Sequence, residues 1–267
     1  MLRTLLVVLL IVQAPAAIAQ SAKERVTFPT LDTGSKVALS ATFTRPAGSG
    51  KFPAMVLMHT CSGLARYIDD WSAWFVDQGY AALVIDSFGP RGVRNICAGG
   101  TPTIRTRALD ALGGLVYLRS RPDIDPKRIG AIGWSQGAGA AFVADSKGIV
   151  AAASPSGGGF GAVVGLYVPC NYVRTPITAI VAPLLFLEGS ADDWSPAQEC
   201  QTDVDMLAQN GFPAAIHIYP GATHAFDNPA DRGSVKVGNA TYTLEYSPGA
   251  ARDARDRVKT FLADVLK

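Results

Sequence analysis

The sequence predicts an α/β fold, in which helices flank both faces of a mostly parallel central sheet within a single domain. Short apolar runs alternate along the 267-residue chain with longer stretches of helical composition, and this alternation is typical of parallel sheets. Hydrophobic residues make up 48% of the chain, which is enough to fill a large core. No internal repeat, low-complexity block or linker indicates a second domain.

The apolar runs place the predicted strands, and the segments between them place the helices. An antiparallel pair at one edge of the sheet is expected within residues 26–46. Further strands are centred near Ala54, Ala81, Ile129, Ala162, Leu184 and Ala215. Helices are expected over residues 67–78, 103–119, 136–146, 196–210 and 249–266. Because ligands bind at the carboxyl ends of parallel strands, we expect a functional site in the loops that follow these strands.

The first residues have the pattern of a secretory signal peptide. Arg3 supplies a positive charge, residues 5–12 form an unbroken apolar core, and residues 17–19 (Ala-Ile-Ala) fit a cleavage site. We therefore predict a signal peptide over residues 1–19 and a folded domain over residues 20–267. The apolar core is shorter than the roughly 20 residues that a membrane span needs, so we expect no membrane anchor after cleavage and a periplasmic or secreted protein.

Charge and cysteine spacing argue against several classes of partner. The formal net charge is only +2 and no basic run or stripe occurs, which argues against nucleic acid. The four cysteines show no Cys-x-x-Cys spacing and no histidine cluster lies near them, so we expect no metal site.

The most informative motif is Gly-x-Ser-x-Gly, which lies within residues 128–137 (RIGAIGWSQG). An apolar strand precedes it and an Ala-rich, helix-compatible segment follows it, which predicts a sharp strand-to-helix turn that presents Ser135 as a nucleophile. Gly133 and Gly137 would let the strand and the helix approach closely at this turn. The backbone N–H of Gln136 would lie at the helix start, where it can stabilise an oxyanion.

The histidines after Ser135 supply the candidate general base. Hydrolases with this kind of turn place their catalytic residues along the chain in the order Ser, then Asp or Glu, then His. His217 lies inside an apolar strand and is expected to be structural. His224 follows a Pro-Gly turn at the carboxyl end of that strand, so we predict His224 as the base.

Two adjacent acids follow the apolar run of residues 183–188 (PLLFLE). Either Asp192 or Asp193 could hold the imidazole in the right tautomer and stabilise the imidazolium as it forms. We prefer Asp192 and keep Asp193 as the reserve. The alternative role for one of the two is to cap the helix that begins near Pro196.

The strand run of residues 54–59 (AMVLMH) opens into a small polar loop that offers a second oxyanion donor. We predict the N–H of Cys61 as the partner of the Gln136 N–H, with Thr60 as the next choice. His59 ends this strand before the nucleophile in the sequence, so we interpret it as a residue that braces the loop by hydrogen bonding.

The predicted export gives the cysteines a role, because an oxidising compartment permits disulfides. We favour the pairs Cys61–Cys97 and Cys170–Cys200, since each pair joins loops at the carboxyl edge of the predicted sheet. A Cys61 bridge would stiffen the loop that carries the second oxyanion donor. The alternative is that one or both pairs are buried, reduced thiols.

Several segments together resemble the dienelactone hydrolase family of α/β-hydrolases, from about Val37 to the C-terminus. These segments are MHTCSGL, YAALVIDSFGPRG, GWSQG, VGLYVPC, GSADDWSP and YPGATHAFDNP. The resemblance implies an α/β-hydrolase fold, a small carboxylic ester or lactone as substrate, no cofactor, and catalysis by Ser135, Asp192 and His224. Founding members of the family carry Cys at the nucleophile position, so the resemblance implies that this Ser-containing relative is a broader carboxylesterase.

Residues near the predicted site suggest a substrate pocket. Trp134, Trp194 and Phe226 flank the catalytic positions and could wall an acyl or aryl group, with core packing as the alternative for each. Arg91 could bind a substrate carboxylate with two hydrogen bonds, or it could form an ion pair that holds its loop. The Gly-rich residues 154–161 could be a flap over the cleft or a flexible turn. Without a long lid insertion, a short and partly soluble substrate is favoured.

Two other functions remain open from the sequence. A serine peptidase or an acyltransferase could use the same three catalytic residues. A non-catalytic periplasmic binding protein on a hydrolase scaffold is the second alternative, since fold does not dictate function. An incomplete triad would indicate such a protein, whereas here all three members are present at suitable positions.

Overall fold

The computed structural model describes residues 22–153, 157–173 and 176–266. The predicted signal peptide, residues 1–19, and the start of the folded domain at residue 20 lie outside the described residues and stay predictions. Among the helices of these three ranges, none has both the length and the apolar character needed to cross a membrane.

Eight strands form the central sheet. They are β1 (Ala22–Pro29), β2 (Ala38–Arg45), β3 (Phe52–Met58), β4 (Ala81–Asp86), β5 (Ile124–Trp134), β6 (Val163–Leu166), β7 (Leu184–Gly189) and β8 (Ala214–Tyr219). Their order across the sheet is β1-β2-β4-β3-β5-β6-β7-β8. β2 pairs antiparallel with β1 and β4, and all the pairs from β4 to β8 are parallel. This arrangement confirms the mostly parallel sheet with an antiparallel pair at one edge.

The direction of travel across the sheet switches between β3 and β5. The chain passes from β3 to β4 on one side, whereas β5 lies on the other side of β3 and leads to β6, β7 and β8. In open α/β sheets, such a switch point leaves a crevice at the carboxyl ends of the strands, where ligands bind. The loops that follow β3 and β5 are therefore neighbours at this crevice.

Helices cover both faces of the sheet, as predicted. In the described ranges they are α1 (Arg66–Asp77), α2 (Ile104–Ser120), α3 (Gln136–Asp145), α4 (Lys147–Ala153), α5 (Ala197–Gln209) and α6 (Pro248–Val265). One core cluster joins the sheet to α2, α3 and α5, with Leu112, Phe142 and Leu207 among its buried residues. A second cluster lies on the opposite face, where α1 contributes Trp71 and α6 contributes Val258.

Two elements were not among the predicted ones. Helix α4 is short, so periodicity gives little signal for it, although Ile149 packs against the core. The other is a hairpin formed by β9 (Arg232–Val237) and β10 (Ala240–Glu245). Its signal was present in the sequence, because alternating β-formers flank a Gly-Asn pair, and Gly238 adopts the positive φ of 60° that such a tight turn requires.

Two disulfides tie loops together near the crevice. Cys61–Cys97 joins the loop after β3 to the segment after β4, and Cys170–Cys200 joins the segment after β6 to α5. Both pairings agree with the prediction. Because disulfides persist in oxidising compartments, they indicate an extracytoplasmic environment.

The described part of the Gly-rich segment, residues 157–161, lies at the opposite end of the sheet from the crevice. It leads into the amino end of β6, and the Gly161 N–H donates to the carbonyl of Ile129. The guanidinium of Arg119 donates to the carbonyls of residues 157–159. For these residues the flap interpretation is therefore wrong, and the alternative of a turn is correct.

Helix α3 starts so close to the ends of β3 and β5 that only glycine fits at two positions. A Cβ on Gly137 would overlap the carbonyl oxygens of Met58 and His59, and a Cβ on Gly133 would overlap the carbonyl of Gly137. Backbone atoms cannot move aside as a flexible side chain can. The prediction that both glycines permit the close approach of strand and helix is thus confirmed.

We expect Gly137→Ala to lower the free energy of unfolding by about 3 kcal/mol, because the new methyl group forces the backbone of α3 away from β3. Urea unfolding followed by tryptophan fluorescence measures the effect. The matched control is Gly249→Ala in the first turn of α6, where a Cβ would meet nothing within 4 Å and stability should be unchanged or slightly higher. Equal unfolding midpoints for the two variants would contradict the prediction.

Candidate active site

Ser135 stands at the turn between β5 and α3 with its backbone in an unusual conformation. Its φ and ψ are 51° and −123°, a region that non-glycine residues rarely occupy and that stores strain. The N–H of Ser135 donates to Leu166 at the end of β6, and its carbonyl accepts from Gly139 in α3. The turn is held from both sides, as expected for a strand-to-helix turn that exposes a nucleophile.

The imidazole of His224 connects Ser135 to Asp192. Its Nε2 lies 3.0 Å from the Oγ of Ser135, and its Nδ1 lies 2.8 Å from the Oδ2 of Asp192. The rings of Tyr167 and Trp194 flank the imidazole at centroid distances of 4.8 and 4.9 Å. Ser135, His224 and Asp192 are all buried, so water competes little with their hydrogen bonds.

The hydrogen bonds of Asp192 decide the tautomer of His224. The Oδ1 of Asp192 accepts from the backbone N–H groups of Trp194 and Ser195, at 2.9 and 2.7 Å, and Oδ2 faces His224. A carboxylate can only accept hydrogen bonds, so each of these partners of Asp192 acts as a donor. His224 therefore carries its proton on Nδ1, and its Nε2 is free to accept the proton of Ser135.

Asp193 points to a different element. Its carboxylate accepts from the N–H and the hydroxyl of Thr243 in β10, at 3.0 and 3.1 Å. The structure thus brings Asp192 and not Asp193 to His224. Neither acid caps α5, whose N-cap residue is Pro196, so the second acid anchors the hairpin instead.

The backbone N–H groups of Cys61 and Gln136 have no hydrogen-bond acceptor within the described chain. Cys61 follows β3, and Gln136 is the first residue of α3, where N–H groups lack partners inside the helix. Both residues line cavities that contain Ser135, and Thr60 lines one of them. The Cys61 and Gln136 groups are therefore available to an oxygen atom bound beside Ser135.

His59 is buried, and its hydrogen bonds define its tautomer. The N–H of Ser87 donates to Nε2 at 3.3 Å, which places the proton on Nδ1, and Nδ1 donates to the carbonyl of Thr60 at 2.8 Å. Nη2 of Arg107 lies 3.2 Å from Nδ1, but a guanidinium can only donate, so Nη2 is assigned to the carbonyl of His59. Burial and the neighbouring cation of Arg107 lower the pKa of His59 well below its ordinary value, which keeps the ring neutral. These contacts agree with the expected role of His59 as a brace of the loop.

Arg107 is a buried cation of α2 that contacts His59, which follows β3, and Gln136, which starts α3. Its guanidinium donates to the carbonyl of His59 and, at 2.7 Å, to the side-chain Oε1 of Gln136. Burial lowers the pKa of Arg107 to about 9, although Asp110 acts in the opposite direction. Its guanidinium also lies 4.9 Å from the ring centroid of Phe88. Sequence reasoning missed Arg107, because nothing in its local pattern signals burial.

Asp227 holds the His224 loop against the strand that carries the nucleophile. Its buried carboxylate accepts from Nε1 of Trp71 at 2.7 Å, Nε1 of Trp134 at 3.0 Å and the hydroxyl of Tyr167 at 2.9 Å. Burial raises the pKa of Asp227, and the three donors oppose that rise. Because Trp134 directly precedes Ser135, this cluster fixes the loop of His224 relative to Ser135.

Two of the three aromatic residues expected around the substrate lie in the core instead. Trp134 and Phe226 are 0% exposed, and neither lines a cavity that contains Ser135. The indole N–H of Trp134 is bound to Asp227, and Phe226 packs on Tyr219 with ring centroids 5.1 Å apart. The alternative of core packing is therefore correct for both residues.

Trp194 does line both cavities, and it stacks on Tyr242 of β10 at a centroid distance of 4.5 Å.

Arg91 lines neither of the two cavities that contain Ser135. Its guanidinium forms a two-point ion pair with Asp110, at 2.8 and 2.9 Å, and donates to the carbonyl of Ser87. The structure places Arg91 in the ion pair that was the alternative to a substrate contact, and this pair holds its loop on α2.

Two cavities adjoin Ser135. We call the first, of about 400 Å³, the base-side cavity because His224 lines it, and the second, of about 380 Å³, the helix-side cavity because Gln136 lines it. Cys61, Trp194 and residues 237–238 of the hairpin border both cavities. The unpredicted hairpin is therefore part of the wall around Ser135.

The remaining histidine lies away from these cavities. His217 on β8 is partly exposed, with its Nε2 3.9 Å from the carboxylate of Asp253, and its ring packs on Tyr219. In the part of the chain that the structure describes, no group of three or more His, Cys, Asp or Glu side chains is arranged to hold a metal ion.

Comparison with known proteins supports a family assignment for this chain. The family model described as the dienelactone hydrolase family matches residues 39–266. A carboxymethylenebutenolidase of Pseudomonas putida is 25% identical over 229 residues, which cover 79% of this chain and 85% of that protein.

Solved structures give the same fold. A dienelactone hydrolase-like promiscuous phosphotriesterase from metagenomic libraries has a TM-score of 0.73 at 17% identity, over 93% of this chain and 100% of that one. The dienelactone hydrolase of Anabaena variabilis has a TM-score of 0.66 at 21% identity, over 93% of this chain and 100% of that one. These likenesses confirm the α/β-hydrolase fold. With a family match that spans most of its length, the chain belongs to the dienelactone hydrolase family and is a hydrolase of carboxylic esters or lactones.

Proposed function

We propose that the protein is a serine hydrolase that cleaves small carboxylic esters or lactones through an acyl-enzyme on Ser135. The observation that carries this proposal is the continuous hydrogen-bond chain from Ser135 through His224 to Asp192, with distances of 3.0 and 2.8 Å. A nucleophile within hydrogen-bond reach of a base, which a third group orients in turn, is the diagnostic arrangement of an activated serine.

In the proposed reaction, Nε2 of His224 takes the proton of Ser135 as Oγ attacks the carbonyl carbon. Asp192 stabilises the imidazolium, and the N–H groups of Cys61 and Gln136 donate to the oxyanion of the tetrahedral intermediate. The bond to the alcohol then breaks, and the alcohol leaves with the proton from His224. Water, deprotonated by the same base, attacks the acyl-enzyme and releases the acid.

His59 is proposed to set the direction of the Cys61 N–H. The carbonyl of Thr60 and the N–H of Cys61 belong to one planar peptide unit, so fixing the first also fixes the second. The hydrogen bond from His59 holds that carbonyl at 2.8 Å, while Arg107 holds the carbonyl of His59. Donors held in place before the reaction need no rearrangement when the oxyanion forms.

The size and chemistry of the site favour a small ester or lactone. The relative from Pseudomonas putida is named a carboxymethylenebutenolidase, and the cavities beside Ser135, of about 400 and 380 Å³, are suited to a small molecule. A serine hydroxyl is a weak nucleophile at neutral pH, so turnover depends on His224.

We further propose that the protein acts in the periplasm or outside the cell after residues 1–19 are removed. The two disulfides support this location because they indicate an oxidising, extracytoplasmic environment. The charged, apolar and small-residue regions of the first 19 residues support the cleavage. The functional domain then begins at residue 20.

Ser135→Ala should lower kcat for p-nitrophenyl butyrate by about a millionfold, the loss known for the nucleophile of an unrelated serine hydrolase. A fluorophosphonate probe followed by mass spectrometry should label Ser135 in the unaltered protein. The matched control is Ser120→Ala at the exposed end of α2, which should keep full activity and labelling. Turnover that survives Ser135→Ala would refute the assignment.

The adjacent acids provide a matched pair of variants. Asp192→Asn should lower kcat by about 10⁴-fold, because an amide in that position favours the wrong histidine tautomer. Asp193→Asn should leave kcat within about fivefold, since its carboxylate contacts Thr243 and not His224. Steady-state kinetics on one short ester measures both, and a reversed order of the two effects would show that Asp193 is the acid.

His59→Ala should lower kcat by about tenfold to a hundredfold with little change in KM, because the Cys61 N–H loses its fixed direction while ground-state binding remains. His59→Asn should recover much of the loss, since the asparagine amide can donate from the position of Nδ1. A variant series in which only thermal stability changes, with kcat equal throughout, would show that His59 is merely structural.

A further inference from the structure

We propose that the acyl part of the substrate is an extended apolar group, which passes from the helix-side cavity into a neighbouring groove of about 690 Å³. The proposal rests on the serine hydrolase function proposed above and specifies its substrate class. It extends the small ester or lactone proposed from the two cavities beside Ser135, because the groove adds space for a longer acyl chain. It also departs from the short substrate that the sequence favours, because no sequence pattern reveals this groove.

The groove is formed by the start of α2, the end of α3, the start of α4 and the segment after β6. Its described lining residues are mostly apolar. They are Thr103, Ile104, Arg105, Val143, Ser146, Gly148, Ile149, Tyr172, Val173, Pro176 and Ile177. Ile177 is buried and Ile104, Val143 and Ile149 are half-buried, so the groove offers a surface on which a flexible hydrocarbon chain can be removed from water.

The groove adjoins the catalytic site rather than lying apart from it. Thr103, Ile104 and Tyr172 line both the groove and the helix-side cavity, and that cavity also contacts Ser135 and Gln136. The side chain of Tyr172 is 53% exposed, so it can move at this boundary without disturbing the core. A chain bonded to Ser135 that extends past Gln136 therefore meets the groove next.

The proposed reaction determines whether the acyl part or the alcohol part of the ester lies in the helix-side cavity. The leaving alcohol must receive its proton from Nε2 of His224, so the alcohol lies in the base-side cavity that His224 lines. The oxyanion is held by Cys61 and Gln136 near the start of α3. The acyl chain is then directed to the opposite side, which is the helix-side cavity and the groove.

Burial of the acyl chain should appear as a chain-length preference. Each methylene group moved from water into an apolar groove is worth about fourfold in kcat/KM when the contact persists in the transition state. We therefore expect kcat/KM for p-nitrophenyl esters to rise from acetate through butyrate and octanoate to decanoate, with the leaving group held constant.

The test combines this ester series with a variant that fills the groove. Gly148 lines the groove, and a Cβ there would meet only the Ser146 hydroxyl oxygen at 3.8 Å, so Gly148→Trp can fill the space without a backbone clash. It should lower kcat/KM for decanoate by about tenfold and leave acetate within about twofold. The matched control, Gly249→Trp on α6, should change neither ester, since a Cβ there meets nothing within 4 Å.

A second variant tests whether the effect of Gly148→Trp comes from the groove itself and not from another consequence of the bulky indole. Ile149→Asp puts a charge into the groove without filling it, so it too should reduce decanoate turnover selectively. Acetate hydrolysis reports that each variant is folded. A flat chain-length profile, or equal losses on acetate and decanoate, would overturn the groove proposal while Ser135-dependent hydrolysis stands. Failure of every ester, together with no fluorophosphonate label on Ser135, would overturn the proposed function itself.

Discussion

The catalytic geometry depends on the contact between the first turn of α3 and the end of β3. Gly137 lies against the carbonyls of Met58 and His59, at a distance that no other residue type permits. This contact places the N–H of Gln136 beside the loop that carries Cys61, and it holds Ser135 in a backbone conformation that an isolated chain would leave. The parallel pairing of β3 with β5 and the packing of α2 on α3 provide the energy that maintains this strain.

Buried polar groups then connect the loops that the sheet brings together. Arg107 contacts His59 and Gln136, while Asp227 binds two indole N–H groups and a phenol. Burying such groups is costly unless each finds partners, so a partly satisfied network would be worse than an apolar one. The result is a site in which Ser135, His224 and Gln136 are held by buried residues outside the hydrogen-bond chain from Ser135 to Asp192.

Local signals predicted most of the elements, though not α4 or the hairpin. They also predicted the turn of Ser135, because the strand, the glycine spacing and the helix occur in adjacent residues. The choice between Asp192 and Asp193 could not be predicted, since it depends on how one loop turns toward two N–H groups. The position of Trp134 next to Ser135 suggested a substrate contact, but the side chain of Trp134 faces the core. Arg107 and Asp227 have partners far along the chain, so only the folded structure reveals them.

The hairpin has a consequence for how this scaffold can diversify. It is attached along β10 by Thr243 to Asp193 and by Tyr242 to Trp194, whereas Val237 and Gly238, at its turn end, border both cavities. Substitutions or length changes in that turn alter the walls of the two cavities but leave the contacts among Ser135, His224 and Asp192 in place. A few changes confined to the turn can therefore reshape the space beside Ser135, while the buried interior stays as it is.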